Sequence, residues 1–382
     1  MTFTNPFSFD TFASGENFCN RKSEIKELVS EIQSSHNVII FSQRRYGKTS
    51  LIKKVLEMAK KQGILIIYMD LFHVLNEEDF VKTYAKTLAS AIEGSVDKVM
   101  QVLKSIFTSL RPKIDIAYDG SPEFTFGMEN GRDPVMDLEE VLESVKKLAD
   151  KKKSKAVVVF DEFQQIGQLS EFHRVESIIR NHIQSHTKIS YIFMGSKKHL
   201  IFDQFNDSKR PLYESGKMFP LGKIYREDLA DFVFSRFKST NKHIPGNVAS
   251  RLVDICESHP YYTQYVSHNL WEFTSSHATI ADSDLDKAIS LTINRASPRY
   301  ESVWELLPIR QKQALIALGN LNTNEKLFSG NVIHHYNLTS ASSFRKALKA
   351  LFEKSLVDRD QSVFSIIDVF FKKWIQMNFP IE

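Results

Sequence analysis

Short β-branched and aromatic runs alternate with helical apolar stripes over the first part of the chain. Asn37–Phe41 (NVIIF), Ile64–Tyr68 (ILIIY), Ala156–Phe160 (AVVVF), Ile189–Met194 (ISYIFM) and Lys217–Leu221 (KMFPL) read as strands, some of them apolar throughout. Strands covered on both faces have that character. Between them Ile25, Leu28, Val29 and Ile32 fall at i, i+3, i+4, i+7, and Leu51, Val55 and Met58 repeat the stripe, which predicts amphipathic helices. Such alternation predicts an α/β domain built on a parallel sheet.

The pattern changes along the chain. Lys113–Tyr118 and Glu123–Phe126 alternate around Asp119-Gly-Ser-Pro122, which predicts a β-hairpin inserted at about 111–128. From Tyr225 onward strands give way to helical periodicity, and beyond Pro298 helices are followed by a short β-compatible tail. The expected division is an α/β core over 1–224, a helical segment over 225–298 and a third domain over 299–382. In that last part Phe344, Ala347, Leu348 and Leu351 give one helix an apolar face opposite Ser342, Arg345, Lys346 and Lys349. Ala314, Leu315 and Leu318 mark a helix before it, and Leu356–Phe364 reads as a two-stranded wing with a polar tip. The order is that of a winged helix-turn-helix.

Composition narrows the function classes without choosing one. The 382 residues suit two or three cores, and 42% hydrophobic with 25% charged residues is ordinary for a globular chain. A net charge of +4 does not by itself argue for nucleic acid. No stretch has the length of apolar sequence a membrane helix needs, and Met1–Asp10 lacks the features of a signal peptide, so a cytoplasmic protein with no membrane partner is expected. Cys19 and Cys256 stand too far apart for a C-x-x-C metal or redox motif. H-E-x-x-H, G-x-S-x-G and Cys/His ligand spacings do not occur as local motifs.

The chemistry concentrates after the first strand, where Ser42-Gln-Arg-Arg-Tyr-Gly47-Lys48-Thr49-Ser50 leads into a helix. This is a phosphate-binding loop in its strand-loop-helix context, with Ser42 in the place of the first glycine. Gly47 lets the backbone approach a polyphosphate, Lys48 reaches the β and γ phosphates, and Thr49 ligates Mg²⁺. The strand Ala156–Phe160 runs into Asp161 and Glu162, so two acids arrive at the ligand edge of a parallel sheet. Asp161 is expected to hold the Mg²⁺ shell and Glu162 to polarise the attacking water. The following strand ends in Met194-Gly195-Ser196, where Ser196 is placed for a bond to that water or to phosphate, or serves only as a turn residue.

Several further segments occur in order with these: Asn17–Ile25 (NFCNRKSEI), Val159–Gln164 (VFDEFQ), Phe193–Lys197 (FMGSK), Arg210–Tyr213 (RPLY), His259–Gln264 (HPYYTQ) and Phe364–Trp374 (FSIIDVFFKKW). Together they resemble the archaeal-type ATPase family of the AAA+/STAND group of P-loop ATPases. The resemblance implies a P-loop core with a five-stranded parallel sheet, a helical lid and a C-terminal winged helix. It implies that Phe18, Asn20 and Arg21 flank an adenine, that Arg44, Arg45, Tyr46 and Ser50 belong to the nucleotide loop, and that Pro260 is the lid proline. The sequence departs from the family where Ser258 replaces a glycine before that proline and where Glu214-Ser215 replaces Gly-Arg after Tyr213. Arg210 is then the nearest candidate for a catalytic arginine. The expected function is Mg²⁺-dependent binding and hydrolysis of ATP coupled to a winged helix, the alternative being a nucleotide-gated switch with negligible turnover. From Arg299 onward eleven Lys+Arg against eight Asp+Glu give only +3, leaving DNA and protein both open as partners of the winged helix.

Overall fold

The computed structural model of the chain describes residues 4–12, 15–128, 133–321, 326–360 and 363–380. They form two compact units, Arg21–Gly222 and Met1–Asn20 with Lys223–Glu382.

The first unit is built on β1 (Val38–Phe41), β2 (Leu65–Asp70), β5 (Ala156–Asp161), β6 (Ile189–Gly195) and β7 (Lys217–Pro220), with β3 (Arg111–Ile116) and β4 (Pro122–Gly127) intervening in the chain. The five-stranded sheet has the order β2-β5-β6-β1-β7, and every pairing in it is parallel. Residues alternate between its faces. Ala156, Val158 and Phe160 share a buried cluster with Tyr191 and Phe193, against α3 (Glu77–Ser90), α5 (Pro134–Lys152) and α6 (Phe172–Ser185). Val157, Val159, Ile192 and Met194 are equally buried on the side of α1 (Lys22–Gln33) and α2 (Lys48–Lys61). In α2 the buried stripe is Leu51, Ile52, Val55, Leu56 and Ala59. Met58, expected on that stripe, is 37% exposed, because the stripe follows i, i+4, i+8 and leaves its position outside.

Strands β3 and β4 pair antiparallel as a separate two-stranded sheet, reached through α4 (Val96–Ile106). Helix α7 (Lys198–Asn206) follows β6.

The second unit contains α8 (Arg226–Lys238), α9 (Gly246–Ile255), α10 (Pro260–Phe273) and α11 (Asp282–Glu305), then α12 (Ile309–Asn320), α13 (Gly330–His335), α14 (Ala341–Glu353), β8 (Val357–Asp360), β9 (Val363–Ile366) and α15 (Val369–Asn378). Strands β8 and β9 pair antiparallel. The expected wing tip at Gln361 and Ser362 lies outside the described residues.

Two boundaries differ from the sequence expectation. Residues before Arg21 group with the helical unit, since Phe7 is buried against Phe237 at 4.9 Å and Asn5 donates to the His268 carbonyl at 3.2 Å. The break expected at Pro298 falls inside α11, which continues through it. An interior proline removes one helical hydrogen bond, but Leu285, Ala288, Ile293 and Tyr300 keep burying the same helix on both sides of it. Helices of the expected lid and winged helix therefore share one core, in which Tyr262 packs on Phe370 at 4.7 Å and Tyr300 donates to Asp368 at 3.0 Å.

Candidate nucleotide site

The sheet order brings the C-terminal ends of β5, β6 and β1 side by side, so the loop after β1 meets the acids after β5 and the hydroxyl after β6. That edge is where parallel α/β sheets bind ligands.

The loop is shaped by left-handed residues. Arg45 has φ 64° and Gly47 φ 86°, and Gly47 is the N-cap of α2. This geometry turns the N–H groups of Lys48, Thr49 and Ser50 toward the helix N-terminus, which favours an anion. Tyr46, Lys48 and Ser50 are buried, whereas Arg44 and Arg45 are exposed beside them. The Lys48 ammonium donates to the carbonyls of Ser42 at 3.0 Å and Gln43 at 3.1 Å, and to the Ser42 hydroxyl at 3.1 Å. Burial pushes it down to about 8, Arg44 adding to the fall and Glu162 and Asp161 opposing it. A buried ammonium held by neutral oxygens fits a polyphosphate as its counter-charge.

Thr49 Oγ1 donates to Asp161 Oδ2 at 3.2 Å, so hydroxyl and carboxylate already converge as two oxygen donors of the kind Mg²⁺ takes. Tyr68, within β2, donates to the same Asp161 oxygen at 2.5 Å. Burial raises Asp161 above the ordinary carboxylate range by more than the Tyr68 bond lowers it, and the Glu162 charge adds to the rise. A divalent cation at these two oxygens would offset that penalty.

Glu162 follows Asp161 with φ 54°, a conformation that costs a non-glycine residue about 1–2 kcal/mol and that recurs at functional sites. Its carboxylate accepts from Ser196 Oγ at 2.8 Å and from Gln164 Nε2. Ser196, a candidate for the water or phosphate or for a turn alone, thus orients Glu162.

Gly195 explains how β6 comes so close. A Cβ there would lie 2.3 and 2.5 Å from the Ile201 side chain and 2.6 Å from Gln164 Oε1. Gly195→Ala is expected to destabilise the unit by about 1–3 kcal/mol through overpacking, measured as a lower denaturant midpoint. An unchanged midpoint would refute this close packing.

The remaining candidates make contacts of their own. Arg21, expected beside an adenine, is buried with its guanidinium spent on Glu24 at 2.8 Å and the Gly222 carbonyl at 2.7 Å. Burial raises the Glu24 carboxyl, but the bonds from Arg21 and Ser23 hold it below its usual range, so this pair pins the start of α1. Arg210 likewise makes structural contacts: its guanidinium donates to the fully buried Glu176 of α6, at 3.1 Å through Nε, and lies 4.6 Å from the Phe172 ring. Phe18, Asn20 and Pro260 belong to the helical unit, where Asn20 donates to Asp228 and Pro260 opens α10. Sequence reasoning missed Tyr68, Gln164 and Gly195 as site residues. Tyr68 closes a predicted strand and Gln164 and Gly195 stand in quoted motifs, so their positions were visible although their contacts were not.

No helix among the described residues is long and apolar enough to cross a membrane. No curated protein sequence matches the chain. Among solved structures, the chain is similar to a Walker-type ATPase of Pyrococcus abyssi, at 15% identity over 97% of this chain and 99% of that one, with a TM-score of 0.68. It is also similar to the ORC2 protein of Aeropyrum pernix in its ADPNP–ADP complexes, at 14% identity over 98% of each chain, with a TM-score of 0.56. These likenesses bear on the fold. A family model described as a probable winged helix domain matches residues 298–377, and one described as an ATPase domain predominantly from Archaea matches residues 18–266. With the loop, the acid-ending strand and the parallel sheet inside that second span, the chain belongs to this archaeal-type family of ATPase domains.

Proposed function

We propose that the chain binds ATP and hydrolyses it with Mg²⁺, and that its nucleotide state governs what the winged helix binds, the mode of action that the AAA+/STAND resemblance implies. The observation that carries this reading is the 3.2 Å contact between Thr49 and Asp161, residues 112 positions apart, beside a buried lysine and an oriented glutamate. The ORC2 neighbour was solved with ADPNP and ADP, which favours an adenine nucleotide here.

In this mechanism the α2 N-terminus and Lys48 hold the phosphates, and exposed Arg44 and Arg45 add positive potential at the loop. Thr49 and Asp161 would hold Mg²⁺, which when bound neutralises phosphate charge. Tyr68 fixes the Asp161 carboxylate. Glu162, held by Ser196 and Gln164, accepts the proton of the attacking water, and ADP and phosphate are the products. Arg210 keeps its partner Glu176 and takes no part in the chemistry. A second reading, ATP held as a switch with negligible turnover, is favoured by Ser42, whose hydroxyl and carbonyl both engage the Lys48 ammonium. Steady-state release of phosphate from Mg·ATP separates the two readings: sustained turnover supports the enzyme, and stoichiometric binding without turnover supports the switch.

On the winged helix, Arg345, Lys346 and Lys349 of α14 are exposed. Arg345 rests 4.5 Å from the Phe328 ring and Lys349 lies 4.0 Å from Glu353. If this face meets DNA, replacing the three by alanine should shrink the salt slope of binding by about one unit per residue. Identical slopes for wild type and variant, measured with and without Mg·ATP, would point to a protein partner instead.

A further inference from the structure

Helices α5 and α6 bring together three groups that the nucleotide chemistry does not use. Glu143 lies on α5, His182 in the last turn of α6, and His186 at its C-cap. Glu143 Oε2 is 3.3 Å from His186 Nε2 and 3.7 Å from His182 Nδ1, and the three ligand atoms lie within 4.8 Å of one another. The other carboxylate oxygen faces Lys146 at 3.2 Å, which leaves Oε2 to the imidazoles. His186 is fixed from behind: its Nδ1 meets the hydroxyl of fully buried Tyr191 at 2.7 Å.

A histidine–carboxylate hydrogen bond accounts for His186 and not for His182. The Nδ1 of His182 is buried with no hydrogen-bond partner, pointing at a carboxylate beyond hydrogen-bond reach. A metal removes that deficit. A tetrahedral zinc with bonds of about 2.0–2.1 Å spaces its ligand atoms by about 3.4 Å, which lies between the two distances to Glu143. Paired imidazoles with one carboxylate suit zinc rather than magnesium or calcium, and the bond from Nδ1 of His186 to a buried hydroxyl is the outer-shell contact that orients a ligating histidine. The charge of Glu139, one turn before Glu143, also acts on His182.

We propose that Glu143, His182 and His186 form a divalent transition-metal site of the zinc class that clips α5 to α6. In sequence only the His182-x-x-x-His186 spacing hints at it, because Glu143 stands 43 residues before His186. Of the three ligands, only the i, i+4 pair of histidines is adjacent in sequence.

The test uses the full chain, free of tags and stripped with a chelator, titrated with Co²⁺ and then Zn²⁺ in excess Mg²⁺ so that the Thr49–Asp161 oxygens are not read. The expected result is one Co²⁺ per chain with the visible bands of a four-coordinate nitrogen-ligated ion, displaced by Zn²⁺, and a melting temperature that rises with Zn²⁺. Glu143→Gln and His182→Gln, both at partly exposed positions, should each weaken binding by at least about tenfold to a hundredfold. Tyr191→Phe keeps all three ligands and the core volume, yet should weaken binding by about tenfold. Circular dichroism confirms that each variant is folded. Absence of the bands, or equal affinity in wild type and all folded variants, would overturn the site.

Discussion

Replacing Lys48 by alanine is expected to weaken ATP binding severely or abolish turnover. The ammonium is buried and held only by the oxygens of Ser42 and Gln43, so in the complex it would be the one buried cation of the loop facing the phosphates. Removing one partner of a buried, hydrogen-bonded charge pair costs about 2–5 kcal/mol, or roughly thirtyfold to several thousandfold in affinity. The fold should not suffer, because burial already penalises the charged lysine. The same lysine predicts a pH effect. Its pKa of about 8 in the free protein means that above pH 8 the free form is neutral and must take up a proton when phosphate binds. Affinity should therefore hold below pH 8 and fall above it, with proton uptake visible in calorimetry as heats that change with the buffer. Unchanged ATP affinity in Lys48→Ala would remove the loop assignment.

Glu162→Gln should keep ATP affinity and slow hydrolysis by about 10²–10⁴, the usual range for loss of a general base. Glutamine keeps the shape of the side chain and its oxygen can still accept from Ser196, but it cannot take up the proton of water. A fall in kcat at unchanged affinity marks an interaction made only in the transition state. Ser196 and Gln164 both donate to this carboxylate, so the substitution also disturbs their bonds, and single-turnover rates are the cleaner measure. Equal rates in wild type and variant would move the base elsewhere.

Much of this site was legible in the sequence because strand ends and loops are written locally. The Gly47-Lys48-Thr49 turn and the acids after an apolar strand lie on the same edge of the sheet, at the ends of β1 and β5 with β6 between them. The two departures from the family pattern also had physical content. Glu214 and Ser258, standing where glycine was expected, have φ 54° and 55°, the left-handed conformation that glycine adopts without steric cost. What stayed hidden depends on pairing across the fold. Tyr68 reaches Asp161 only because β2 and β5 are neighbours in register. Arg21 and Arg210 look like ligand cations in sequence, yet each is committed to an acid, Arg21 to Glu24 three residues on and Arg210 to Glu176, which only folding brings into reach. Pro298 read as a boundary because proline usually ends a helix, whereas buried Leu285 to Tyr300 carry α11 through it.

The central claim is that the loop, Thr49–Asp161 and Glu162 make one hydrolytic site. The most direct measurement is steady-state phosphate release from ATP by the purified full chain, with Mg²⁺ and with the metal chelated, beside Glu162→Gln under the same conditions. The predicted result is turnover that requires Mg²⁺ and drops by orders of magnitude in Glu162→Gln while ATP still binds. Phosphate release that is absent in wild type despite bound ATP, or that is the same in Glu162→Gln, would contradict it.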